Sequence, residues 1–144
     1  PEAGHIFVKK HPEDNYEGNC PFHASCLEGM AAGPAIEKRW GKRAEYLYEN
    51  KMVWEMESFY IAQALVDYTL CYSPKRIVLG GGVINKDGLL DMIREDYVSL
   101  LNNYIKTDLV NNPKEYIVGA SLKGEQGIMG CLKIAMDSIG EKTI

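Results

Sequence analysis

Arg76-Ile77-Val78-Leu79-Gly80-Gly81-Gly82-Val83 is the stretch whose reading decides the fold class. Arg76 to Leu79 reads as a short buried strand, and three glycines close it. Toward the C-terminus, Asp87 is a candidate N-cap for a helix running to about Tyr104. Glu115-Tyr116-Ile117-Val118 reads as a second buried strand, Gly119-Ala120-Ser121 as a turn, and about Gly124 to Ile139 as a final helix. Strand, glycine turn, helix, strand, turn, helix is the order of an α/β protein, with helices covering a sheet. Glycines after a strand let the backbone approach a nucleotide closely, and the following helix offers free amides. The same residues equally suit a tight strand-to-helix turn. No Lys-Ser or Lys-Thr follows at the spacing of a Walker-type loop. Gly127 and Gly130 fall inside the last helix, where each costs about 1 kcal/mol against alanine. Close packing is the first explanation, a nearby ligand the second.

Toward the N-terminus, Phe59, Ala62, Leu65, Val66 and Leu70 recur at helical spacing within a helix from Trp54 to Cys71, ended by Ser73-Pro74. A short helix is expected from Lys42 to Asn50. Helical patterning also begins at Glu28, with Pro34 marking a bend or a new first turn and Trp40-Gly41 a stop. Cys71 and Cys131 sit among apolar neighbours and read as core residues. The first 27 residues are rich in turn formers, with Ile6-Phe7-Val8 as a possible strand.

That first segment holds all three histidines and two of the four cysteines. Cys20-Pro21-Phe22-His23-Ala24-Ser25-Cys26 sets three candidate ligands at intervals of three. Tetrahedral zinc takes thiolate and imidazole ligands, and so short a loop lets several reach one ion. His5 or His11 would supply the fourth. Against this, a free cysteine often acts as a compact hydrophobe. Glu2 and Glu28 flank the segment. Paired carboxylates suit vicinal sugar hydroxyls, but spacing alone favours ordinary solvated glutamates.

The composition bounds the alternatives. A chain of 144 residues, 46% apolar and 25% charged, fits one domain. No apolar run is long enough for a membrane span, and no signal-peptide pattern appears. A net charge of −4 gives no broad attraction to nucleic acid, which weighs against a small zinc-ribbon module that binds it. Clustered cysteine and histidine suit a reducing cytoplasm. The chain opens at Pro1, without an initiator methionine, so it is expected to be processed or to belong to a longer protein.

Three segments together closely resemble the ROK family of bacterial sugar kinases and sugar-responsive repressors. Pro1-Glu2-Ala3-Gly4-His5-Ile6 matches its Glu-x-Gly-His element. Cys20 to Glu28 matches its cysteine-rich segment ending in Cys-Leu-Glu. Gly33-Pro34-Ala35-Ile36 follows in register. The Cys-Pro-x-His form is similar to the fructokinase branch. Leu79 to Val83 resembles the nucleotide-side glycine segment, and Gly119-Ala120-Ser121-Leu122 the C-terminal one.

The resemblance implies an actin-like, ribonuclease-H-like α/β fold. It implies His5, Cys20, His23 and Cys26 as ligands of a structural zinc, preferring His5 to His11. Glu2, His5 and Glu28 would contact sugar hydroxyls, and Gly80, Gly81 and Gly82 would line an ATP site. The reaction implied is phosphorylation of a hexose by ATP with magnesium, giving fructose 6-phosphate from fructose. No catalytic base is expected in this chain, because the family's aspartate lies upstream of the Glu-x-Gly-His element. Residues 1–144 are therefore expected to be the C-terminal portion of a kinase about twice as long. Residues 1–27 would be its zinc segment and 28–144 its helical and α/β part. The missing N-terminal half and a second copy, in a homodimer, are the implied partners, with neither nucleic acid nor membrane. The alternative is the sugar-sensing domain of a ROK repressor.

Overall fold

The computed structural model describes residues 2–122 and 124–140. Pro1 of the N-terminal element, Lys123 and residues 141–144 lie outside the described residues. After a 3-10 turn at Ala3–His5, the chain runs irregularly to α1 (Leu27–Ala31) and α2 (Gly33–Trp40). Pro34 occupies the first turn of α2, where its missing amide costs nothing. Gly41 ends that helix at φ 69, a left-handed cap that favours glycine. Ile6-Phe7-Val8 forms no strand. Only Phe7 makes a bridge, antiparallel to Cys26. The expected helix at 42–50 is only a 3-10 turn at Ala44–Tyr46.

α3 (Lys51–Tyr72) is the axis of the molecule. It begins three residues before the expected start, because Met52, Val53 and Trp54 already pack inward. Its buried residues, from Val53 and Trp54 through Tyr60 to Leu65 and Thr69, lie on more than one face. One face meets the N-terminal segment through Met30, Met56 and Tyr60. Another joins the main core with Ile36, Leu89, Ile93, Tyr97, Tyr116 and Ile117. The buried Thr69 hydroxyl donates to the Leu65 carbonyl at 2.8 Å and lies 3.1 and 3.2 Å from the Tyr97 and Tyr116 hydroxyls. These three hydroxyls partner one another inside the core.

β1 (Ile77–Leu79) leads through a 3-10 turn at Val83–Asn85 to α4 (Leu89–Leu101). Asp87 is not the N-cap. Gly88 takes that position at φ 82, a conformation an aspartate side chain would strain. The helix stops at Leu101 because Asn102 and Asn103 turn left-handed. α5 (Pro113–Tyr116) displaces the start of the second strand, so β2 is Ile117–Gly119 rather than 115–118. β1 and β2 pair in parallel, Ile77 opposite Ile117 and Leu79 opposite Gly119. Arg94 of α4 locks onto this edge, donating to the Ile117 carbonyl from Nε at 3.0 Å and Nη2 at 2.7 Å.

α6 (Gln126–Gly140) has no buried residue. Cys131 is exposed, as is Cys71, so neither belongs to the core. A Cβ at Gly127 or Gly130 would meet nothing within 4 Å. Close packing among the described residues therefore does not explain those glycines. The apolar pattern of α6 is real, but nothing described here covers it.

Between α3 and the N-terminal segment lies a buried ionic group. Arg39 of α2 sits 3.1 Å from Asp14 and 3.5 Å from Glu57. Burial pushes the Glu57 carboxyl from 4.5 up to about 8, against the opposing pull of Arg39. A carboxyl raised on folding contributes its full stability below pH 4.5 and loses it as pH climbs to about 8. Glu57→Gln imitates the protonated form. Its melting temperature is expected to lack this share of the decline across that window, and to exceed the parent's at pH 8. Parallel melting-temperature profiles for the two proteins would refute the assignment.

Candidate metal centre and glycine-lined cleft

The N-terminal segment is held in a tight double loop. The Leu27 amide donates to the Ile6 carbonyl at 2.9 Å, Asn19 to Gly29 at 2.8 Å, and Cys20 and Ala24 exchange backbone bonds at 3.3 and 3.0 Å. Ala24 itself is left-handed, at φ 47. Gln63 of α3 clamps Lys9 from both sides, accepting its amide at 2.9 Å and donating to its carbonyl at 3.1 Å.

These constraints bring one ligand atom each from His5, Cys20, His23 and Cys26 within 4.8 Å of one another. His5 Nδ1 lies 3.7 Å from the Cys20 sulfur and 3.5 Å from that of Cys26, and His23 Nδ1 lies 3.8 Å from Cys20. A tetrahedral zinc with ordinary Zn–S and Zn–N bonds has S···N edges of about 3.6 Å. The donor set therefore fits zinc in both chemistry and size. Backbone amides of His23, then Phe22, hold the Cys20 thiol below its usual range. Burial pushes the Cys26 thiol up, and the Gly29 amide opposes it. Amides directed at sulfur favour thiolate, the form that binds metal.

His11 stands outside the cluster. Its Nδ1 accepts the Glu13 amide at 3.2 Å, and its ring packs edge-on against Phe59 at 4.9 Å. Of the two histidines that the residue spacing left open, His5 lies with the cysteines and His11 does not. His5 also has a second face. Its Nε2 lies 3.5 Å from Glu28 Oε2, on the first turn of α1. Glu2 is exposed at the start of the same 3-10 turn, its carbonyl accepting the His5 amide at 3.1 Å.

Gly80, Gly81 and Gly82 line a cleft of about 900 Å³. Gly119, Ala120 and Gly124 line it too, so the two glycine segments singled out separately in the sequence meet at the C-terminal ends of parallel strands. That is where α/β folds bind ligands. Of the three glycines, only Gly81 is forced, at φ 101. Asn85 and Gln126 also reach the cleft. Nothing in their local pattern distinguishes them from surface polar residues. The Asp14–Arg39–Glu57 group was equally silent.

Fold and sites describe an α/β body carrying a Cys₂His₂ cluster in its N-terminal segment and a cleft at its strand ends. The chain matches the ROK family profile over residues 1–138 and belongs to that family. It is 44% identical over 140 residues to a putative fructokinase of Bacillus subtilis strain 168, covering 96% of this chain and 47% of that protein. A fructokinase of Streptococcus mutans is 46% identical over 120 residues, covering 81% and 40%. That of Zymomonas mobilis is 38% identical over 140 residues, covering 94% and 45%. The chain thus spans less than half the length of these relatives. No helix among the described residues is long and apolar enough to cross a membrane.

Proposed function

We propose that this chain is the C-terminal portion of a cytoplasmic, homodimeric hexose kinase with an actin-like fold. The whole protein would convert fructose to fructose 6-phosphate with ATP and magnesium. Family membership and fructokinase-named relatives support the kinase over the repressor. The observation that carries the site assignment is the double-faced His5, with Nδ1 among the metal donors and Nε2 against Glu28.

On this reading zinc is structural. His5, Cys20, His23 and Cys26 fill four positions, and a closed set leaves none for activating water. Glu2 and Glu28 accept hydrogen bonds from sugar hydroxyls, and His5 donates one from Nε2. Gly80, Gly81 and Gly82 bring backbone amides to the nucleotide. Phosphoryl transfer depends mainly on positioning and charge neutralisation, so these groups align the reactants. The base lies outside residues 1–144, and the isolated chain is inactive. Turnover of fructose by the pure 144-residue polypeptide would overturn that statement.

The decisive variant is Glu28→Gln in the whole protein. The efficiency with fructose should fall about 10- to 100-fold, because charge-assisted hydrogen bonds are lost at a positioned substrate. Zinc content should stay at the parent's level. Unchanged fructose kinetics would remove Glu28 from the sugar site.

A further inference from the structure

We propose that Arg39 is a positioning residue for the sugar site, holding Glu28 in place through the Met30 carbonyl, on the C-terminal side of Glu28. This rests on the reading of Glu28 as a sugar ligand. Glu28 lies midway between two fixed points. Two residues before it is Cys26, in the metal cluster. Two residues after it is Met30, whose carbonyl accepts a hydrogen bond from Arg39 Nη2 at 2.8 Å. α1 is only five residues long, so its own backbone bonds cannot hold it rigidly.

The same Nη2 lies 3.1 Å from Asp14 Oδ2, on the N-terminal segment. Asp14 Oδ2 also accepts the Tyr60 hydroxyl of α3 at 2.7 Å, and that hydroxyl accepts the His11 amide at 3.0 Å. Arg39 Nη1 faces Glu57 of α3 at 3.5 Å, and the guanidinium lies over the rings of Tyr16 and Tyr60 at 4.8 and 5.5 Å. One side chain therefore ties α1, α2, α3 and the metal segment together. The planar fork makes these contacts directional, which a hydrophobic side chain cannot do.

Energetics favour positioning over stability as its role. The Arg39, Asp14 and Glu57 side chains are 5%, 2% and 0% exposed. Buried ion pairs seldom stabilise more than well-packed apolar residues of the same volume. Here Arg39 Nε and Nη1 and both Glu57 oxygens lack a hydrogen-bond partner, which adds to the cost. What the group does supply is a fixed geometry within two residues of Glu28.

The test uses the whole kinase, with Arg39→Met, Arg39→Lys, Tyr60→Phe and Glu28→Gln compared side by side. Arg39→Met should lower kcat/KM for fructose about 10- to 100-fold, with the KM for ATP and the zinc content unchanged. Arg39→Lys should recover only part, because one ammonium cannot serve Asp14 and the Met30 carbonyl in the same geometry. Tyr60→Phe keeps the volume and loses the Asp14 bond, so it should move fructose kinetics the same way by a smaller factor. It carries the test if Arg39→Met does not fold. Unaltered fructose kinetics in the soluble Arg39 and Tyr60 variants, full recovery by lysine, or an equal rise in the KM for ATP would each overturn the proposal. Should Glu28→Gln impair fructose use while those variants do not, only the positioning role fails. Should Glu28→Gln itself do nothing, the sugar-site reading fails first.

Discussion

On the function proposed above, Cys26→Ser in the whole protein is expected to abolish stoichiometric zinc binding and to cut the efficiency with fructose by at least about 100-fold, since even residues supporting a metal ligand are worth 10- to 100-fold. Cys26 is fully buried and makes the bridge to Phe7 that closes the segment onto α1. Serine keeps the volume but is a poor zinc ligand, and it leaves Cys20 and two imidazoles converging on an incomplete site. In small domains a structural zinc contributes on the order of 10 kcal/mol to folding. Here Gln63, Tyr60 and Tyr68 of α3 also hold the segment, through Lys9, His11 and the Ala3 carbonyl. The loss should therefore be local: α3 and the main core remain folded while residues 18–29 open. Metal analysis and faster chymotryptic cleavage at Phe22 check both parts. A parent-like zinc content in Cys26→Ser would remove this cysteine from the ligand set. Cys71→Ser, at an exposed site, is the matched control and should change neither quantity.

Gly29→Ala should be nearly as damaging, although it adds one methyl group outside the ligand set. A Cβ at Gly29 would sit 1.9 Å from the Ala24 carbonyl oxygen and 3.1 Å from the Cys20 Cβ. The first obstacle is backbone and cannot rotate away. That carbonyl also accepts the Cys20 amide at 3.3 Å, so moving it moves a candidate ligand. The expected destabilisation is about 3 kcal/mol or more, the upper end of ordinary overpacking. Weaker zinc binding and a lower melting temperature are the readouts. Gly127→Ala and Gly130→Ala meet open space within α6. Each should instead stabilise that helix by up to about 1 kcal/mol. If Gly29→Ala behaved like those two, the close approach of Gly29 to Ala24 would be wrong.

The contrast between these glycines shows how far local pattern reaches. Gly127 and Gly130 drew notice because glycine is costly in a helix, yet nothing among the described residues packs against them. Gly29 carries no such local signal, yet its hydrogen is all that fits. Steric contact with a residue five positions earlier depends on how the loop folds back, which periodicity does not encode. Asp87 illustrates the same limit. It has the chemistry of an N-cap, but the chain needs a positive φ one residue later, and Gly88 takes the position.

The sequence by itself determined the α/β order, the end of α2 at Trp40-Gly41 and three candidate metal ligands, Cys20, His23 and Cys26. Each of these depends on residue type at short spacing, where covalent geometry and capping chemistry dominate. Only the tertiary structure decided that His5 rather than His11 joins the cysteines, and that the two glycine segments share one cleft. It alone disclosed Arg39 between Asp14 and Glu57. It also left α6 uncovered among the described residues, although Cys131 and its apolar neighbours read as core. Those outcomes depend on which surfaces meet, and contacts between residues tens of positions apart follow from packing rather than from local pattern.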